Sequence, residues 1–236
     1  SSINFAANPS VRWEKTGVLN FGLDFAVLNR RLSGSIELYR KYSRDLFADY
    51  TINPIFGANA SSSYTLSRNA AKVNGKGIDL ALNGVIVQKG DFRYDAKLTY
   101  SYNINEVISS PYEMSPYFYS SGGGSGRMLE GYNMNNFWAY RWAGLDENGD
   151  SQIYNADGDI VKSTESVTND DLVYVGTLTP KYFGGFFNTF SYKGLSLYVG
   201  ITYKLGYIFQ KPTISQQAGG RNTYYEINED MANRWR

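Results

Sequence analysis

From Leu195 to Tyr207 apolar and polar side chains alternate without a break, and no feature constrains the fold more. Leu195, Leu197, Val199, Ile201, Tyr203, Leu205 and Tyr207 take one side, and Ser196, Tyr198, Gly200, Thr202, Lys204 and Gly206 take the other. A period of two makes a β-strand with two unlike faces. Phe92, Tyr94, Ala96, Leu98, Tyr100 and Tyr102 alternate in the same way against Arg93, Asp95, Lys97, Thr99, Ser101 and Asn103. Leu19, Phe21, Leu23, Phe25 and Val27 oppose Asn20, Gly22, Asp24 and Ala26, and Ile78, Leu80, Leu82 and Ile86 oppose Asp79, Ala81 and Asn83. Less regular partners run from Leu32 to Tyr42 and from Tyr182 to Tyr192; the latter carries aromatics on both sides, which leaves its facing open.

Composition narrows the chemistry. The 236 residues contain neither Cys nor His, which removes disulfides, thiolate and imidazole catalysis, and most zinc and haem sites. A net charge of +1 supplies no long-range field to draw in nucleic acid. Apolar runs fall far short of the roughly 18 residues of a membrane-spanning helix, so any membrane role must use strands. No acid/base pair stands out, and the chain is not expected to be an enzyme or to hold a cofactor.

The connections alternate between very short and very long. Asn29-Arg30-Arg31, Gln88-Lys89-Gly90-Asp91 and Lys193-Gly194 read as tight hairpin turns. They define hairpins near 16–43, 71–104 and 180–208, separated and followed by long loops at 43–70, 105–179 and 209–236. Compact soluble domains mostly use loops of about 2 to 6 residues, whereas transmembrane β-barrels combine short periplasmic turns with long extracellular loops. Ten steps of about 3.3 Å from Phe92 to Tyr102, tilted by about 40°, rise about 25 Å, the height of an outer-membrane apolar band. Phe92 and Tyr94 sit at one end of that height and Tyr100 and Tyr102 at the other, as interfacial girdles require. The fold expected is all-β: about six spanning strands of a large antiparallel transmembrane barrel. Six strands are too few to close one, and the polar, patternless Asn228–Arg236 makes a poor last strand, so the chain reads as a fragment.

Particular phrases carry a family resemblance. "NPSVRWEKTGVLNFGLDF" from Asn8, "GSIELYRKYSRDLF" from Gly34, "NAAKVNGKGIDLAL" from Asn69, "FWAYRWAGLDENGD" from Phe137 and "PKYFGGFFNTFSYKGLSL" from Pro180 together resemble the C-terminal barrel region of the SusC/RagA family of TonB-dependent outer-membrane transporters. The resemblance implies a 22-stranded barrel in the bacterial outer membrane, with a plug domain and final strands that this sequence lacks. It also implies a SusD-like surface lipoprotein as lid, a TonB complex reached through the missing N-terminal part, an oligosaccharide or peptide as solute, and a pair of barrels as the assembly. The competing reading is a soluble all-β carbohydrate-binding module; a glycosidase, which needs two placed carboxyl groups, ranks last.

Import of a bulky polar solute needs a wet lumen and a gripping outer surface. Asp24, Asp79, Arg93, Asp95, Lys97 and Lys204 alternate onto the polar faces and are expected to line the lumen. Tyr117, Tyr119, Tyr132, Trp138, Tyr140 and Trp142 crowd the loop after Asn105 as candidate solute contacts. Packing of the loop against itself or the lid accounts for the same aromatics, Trp138 and Trp142 above all. "SGGGSG" from Ser121 to Gly126 reads as a flexible tip or gate. Asp146, Asn148, Asp150, Asp157 and Asp159 have oxygen ligands at calcium-like spacings, but Asx-Gly turns explain the same letters and no metal site is expected.

Overall fold

The computed structural model describes residues 8–51, 65–112, 128–162 and 167–209. Ten strands form two antiparallel sheets: β1 (Lys15–Val27), β2 (Leu32–Thr51), β3 (Thr65–Lys89), β4 (Phe92–Ser109), β5 (Asn136–Leu145), β6 (Ser151–Tyr154), β7 (Ile160–Lys162), β8 (Leu172–Thr177), β9 (Tyr182–Tyr192) and β10 (Leu195–Leu205). The large sheet has the order β1-β2-β3-β4-β9-β10 and the small one β7-β6-β5-β8.

The pairing register of the large sheet joins the alternating residues into rows. Directly opposed residues in antiparallel neighbours share a face. One row runs Phe21, Leu38, Ile78, Tyr102, Tyr182, Leu205, and another runs Phe25, Gly34, Leu82, Leu98, Phe186, Ile201. Six strands thus present one continuous apolar face, and none of the described residues covers it: Leu19 is 75% exposed and Leu195 76%. Soluble proteins bury such a face; here it is left for another apolar medium. Register also settles β9. Tyr182, Phe186, Phe190 and Tyr192 join the apolar face, and Phe183 and Phe187 join the polar one.

The turns lie where the sequence places them. Leu28, Asn29 and Arg30 all have positive φ, at 53°, 54° and 64°, an arrangement without glycine closed by the Arg31 N–H donating to Leu28 O at 3.0 Å. Gly90 (φ 56°) turns β3 into β4, and Lys193 with Gly194 (46° and 85°) turns β9 into β10. A bulge between Val85 and Val87 sets Ile86 outside the strict alternation, so Val87, opposite Tyr94, takes the apolar place that simple counting assigns to Ile86.

The excursions at the opposite end are more ordered than their letters suggest. β2 continues to Thr51 and β3 begins at Thr65, so most of 43–70 extends the hairpin. At about 3.3 Å per residue, the 25 residues of β3 span about 80 Å, well beyond a 25 Å apolar band. On β3 here, Ala71, Val73, Gly75 and Gly77 are buried while Lys72, Lys76 and Ile78 are exposed, the same two-faced pattern with the faces reversed in polarity. Likewise β4 runs to Ser109, and residues 128–162 and 167–179 form a folded unit containing the small sheet.

That unit is stitched to β4 where β9 no longer reaches. Val107 N–H donates to Tyr132 O (2.9 Å), Gly131 N–H to Val107 O (2.9 Å) and Met134 N–H to Asn105 O (3.0 Å). On the other flank Ile208 N–H donates to Thr177 O at 2.9 Å. These bonds occupy backbone groups that the end of β9 would otherwise leave unpaired.

Candidate functional site: the wet face and the loop sheet

All six charged residues expected to line a lumen share the face opposite the apolar belt. Asp79 stands between Glu37 and Ser101, and the same row continues through Phe183 to Lys204. Asp24 opposes Ser35, Lys97 lies between Asn83 and Phe187, Asp95 opposes Thr189, and Arg93 opposes Ser191. Arg93 and Asp95, two apart on β4, form a two-pronged ion pair with Nε–Oδ2 at 2.6 Å and Nη2–Oδ1 at 2.8 Å. Being open to solvent, the pair orients both groups more than it stabilises the sheet.

The face carries residues that composition alone does not single out. A concavity of about 550 Å³ near the short turns is lined by Arg30, Arg31, Arg93, Lys97, Phe187 and Tyr198, among others. The Arg31 guanidinium crosses to the carbonyls of Val85 and Ile86 (3.3 and 3.2 Å). Phe187 and Tyr198 stack with centroids 6.2 Å apart. Farther up, the Tyr39 ring lies over Gly77 so closely that any side chain at Gly77 would collide with it. The Tyr39 hydroxyl accepts from Asn103 Nδ2 at 2.6 Å. The signal for these residues is not their type but the register, which puts an aromatic beside a glycine on the neighbouring strand.

The loop aromatics divide between core and surface. Trp138 is buried at 6% exposure with Leu129 and Leu172, and Tyr112, Tyr132 and Tyr140 pack against them. Tyr132 meets the Trp138 ring edge-on at 4.8 Å, and Tyr174, absent from the sequence-based candidates, closes the cluster at 5.2 Å from Tyr132 and 5.5 Å from Trp138. Trp138 Nε1 donates to Asn136 Oδ1 at 2.9 Å, and Asn136 Nδ2 to Asn133 O at 2.9 Å. Asn133 Oδ1 accepts from Thr177 Oγ1 (3.1 Å) and Asn135 N–H (2.9 Å). Trp138 thus packs inside the loop unit, with Tyr132 and Tyr140 against it, as the packing reading of these aromatics expects. Trp142, in contrast, is 61% exposed and packs on no core of the loop unit among the described residues. Burial beside Asp171 raises the pKa of Tyr140. Tyr117, Tyr119 and the Ser121–Gly126 tip lie outside the described residues.

The acidic spacings resolve into turns. Asp146 Oδ1 accepts from the N–H groups of Asn148 and Asp150 (2.9 Å each), and Asn155 Oδ1 accepts from Asp159 N–H at 2.7 Å, with Gly149 and Gly158 at positive φ. Lys162 Nζ sits between Asp146 Oδ2 (2.8 Å) and Asp150 Oδ2 (2.9 Å), so an ammonium occupies the position between these carboxylates. That contact lowers the pKa of Asp146 and raises that of Lys162. Asp171 is held as a carboxylate by N–H donation from Thr168 (2.7 Å) and Ala156 (2.8 Å), which lowers its pKa despite burial.

A long-stranded antiparallel sheet with one lipid-compatible face, one wet face and short turns at a single end is a segment of an outer-membrane β-barrel. No family model matches the chain. Relatives and solved structures point to one group. The chain is 27% identical over 207 residues to TonB-dependent receptor P26 of Formosa agariphila, which covers 80% of this chain and 20% of the receptor. It is 30% identical over 153 residues to TonB-dependent receptor SusC of Bacteroides thetaiotaomicron, covering 61% of this chain and 15% of SusC. The RagAB peptide importer in its open-open state superimposes with a TM-score of 0.69 at 28% identity, covering 87% of this chain and 22% of the matched chain. The resemblance to the SusC/RagA family thus holds in both sequence and fold, and the relatives are receptors and importers rather than enzymes. The chain spans a fifth or less of the length of these two receptors.

Proposed function

We propose that this chain is the barrel segment of a TonB-dependent transporter of the SusC type, which imports oligosaccharides or peptides across the outer membrane with a SusD-like lipoprotein as lid. The observation that carries this reading is the uncovered apolar face backed by a charged, aromatic-studded face across six strands. The charged row through Glu37, Asp79 and Lys204, with Arg93, Asp95, Lys97 and Asp24, lines the solute path or touches the plug. Among the described loop aromatics, Trp142 is the most exposed and meets solute or lid. TonB engages the parent protein outside this segment, and the assembly is a pair of barrels.

A fractionation and uptake experiment tests the reading. The full-length protein should sediment with outer membranes, require detergent and show heat-modifiable migration. Its deletion should abolish growth on one class of oligosaccharide or peptide while leaving growth on the corresponding monomer intact. Recovery as a soluble monomer in plain buffer, with uptake unaffected by deletion, would overturn it. Neighbouring genes for glycoside hydrolases or for peptidases would identify the solute class.

A further inference from the structure

Charge on the wet face is sorted by height. Asp24, Glu37 and Asp79 occupy the two rows above Lys97, whereas the positions nearest the short turns carry Arg30, Arg31, Arg93 and Lys97. These four cations line the concavity of about 550 Å³, and among the described residues Asp95 is the only carboxylate in its wall. That volume is within the range of small-ligand sites.

Asp95 offsets one of the four cations and no more. Both of its oxygens are taken by Arg93, at 2.6 and 2.8 Å. Arg31 is fixed by donation to the neutral carbonyls of Val85 and Ile86. Arg30 and Lys97 make no hydrogen bond or ion pair with any described residue. Four cations against one carboxylate leave three positive charges in excess, and a cleft lined by one sign concentrates its field on a counter-ion.

Ring faces stand beside these charges. Phe187 is directly opposite Lys97 in register, and Gly200 is opposite Phe187. The Phe187 ring leans over two glycines: a Cβ at Gly185 would stand 2.6 Å from it, and one at Gly200 3.2 Å. Tyr198 runs nearly parallel to Phe187, at 12° with centroids 6.2 Å apart. Cover for strand glycines accounts for where Phe187 lies; it does not account for four cations gathered round it. A pyranose has an apolar C–H face that suits such rings, and Ser33, Asn83 and Thr189 in the same wall offer partners for its hydroxyls. The cations add recognition of a carboxylate, which guanidinium groups can grip with two parallel bonds.

We propose that this concavity is a subsite for a uronate residue of an acidic oligosaccharide moving along the wet face, with the carboxylate held by Arg30 and Lys97 and the sugar ring against Phe187 and Tyr198. The subsite rests on the transport reading and narrows its solute to carboxylated glycan. A neutral solute would remove the subsite and leave the transport reading standing.

Calorimetric titration of the full-length protein in detergent tests the site, with tetragalacturonate, the same oligomer with its carboxyls reduced, and tetraglutamate as probes. Tetragalacturonate should bind on the order of 10-fold more tightly than either of the others, by a margin that shrinks as salt rises. The double variant Arg30→Gln, Lys97→Gln should hold it on the order of 20-fold more weakly and close that margin. Phe187→Ala should weaken the acidic and the reduced oligomer alike, by roughly 5-fold. If the double variant does not assemble, the salt titration of the unaltered protein reads the same charges. Equal binding of tetragalacturonate and either other probe, a margin that salt leaves untouched, or a margin unchanged in the double variant would overturn the proposal. Should the double variant instead open the N-terminal part of the protein to protease with the margin intact, the cations hold the remainder of the chain and not a solute.

Discussion

The large sheet and the small sheet put apolar side chains to opposite uses. In the large sheet Leu19, Phe21, Leu98 and Ile201 stand on an outer face that no described residue covers; in the small sheet Trp138 and Leu172 turn inward onto Leu129 and are ringed by tyrosines. The first is stabilised by a medium around it and the second by its own contents. Alternation therefore identifies a strand, but the meaning of the apolar side depends on what lies against it. The polar sides differ too. The wet face of the large sheet keeps charges in the open, whereas the loop unit buries Asn133, Asn136 and Thr177 and pairs them.

Substitutions on the two sheets should separate these regimes. The largest effect is expected at Trp138→Ala, which empties the loop core and should cost about 3–5 kcal/mol locally. Hydrogen exchange should show residues 128–179 opening while the large sheet stays protected; loss of protection throughout would mean that the two sheets share a core. Trp142→Ala should change that exchange hardly at all. Next comes Leu82→Arg, which places a charge in the apolar belt and should cost about 2–4 kcal/mol in barrel stability measured by unfolding from lipid vesicles. Ser35→Arg, one residue away in register but on the wet face, serves as the contrast. Equal penalties for the two would remove the distinction between the faces.

Smaller effects sharpen the comparison. Asn133→Ala strands the donors of Thr177 and Asn135 and should cost about 1–3 kcal/mol within the loop unit, visible as faster protease nicking there. A pH response is expected within the same unit. Asp171 has a folded pKa below its unfolded value near 3.9, so its contribution is full above that pH and is lost as the pH falls through the lower folded value. Protease sensitivity of residues 128–179 should therefore rise in acid, and Asp171→Asn should shrink that acid step to the part contributed by Asp146 while lowering protection at neutral pH. A step of the same size in the variant would assign the response to other groups.

Much of the large sheet was legible because its information is local. Period-two patterning from Phe92 to Tyr102 and from Leu195 to Tyr207, closed by Gly90 and Gly194, specifies strand, facing and turn within a few residues of each other. The letters say least where neighbours decide. Ile86 is displaced by a bulge that only the pairing with β4 reveals. Trp138 and Trp142 are four residues apart and alike in type, yet one sits over Leu129 and Leu172 and the other stands exposed where β5 pairs with β6. The strands of the loop sheet are short and broken by bulges, so their alternation is too brief to recognise.

By itself the sequence determined that the chain would pair as long two-faced strands with short turns at one end, because side-chain alternation and turn glycines act over single residues. Tertiary structure alone decided which strands are neighbours, and therefore which charges meet. Glu37 stands against Asp79, Arg40 against Lys76, and Tyr39 over Gly77 through register, a relation between residues distant in the chain that no local pattern encodes. Registry exists only once the strands have met, and it turned alternating letters into a continuous belt and a wet face.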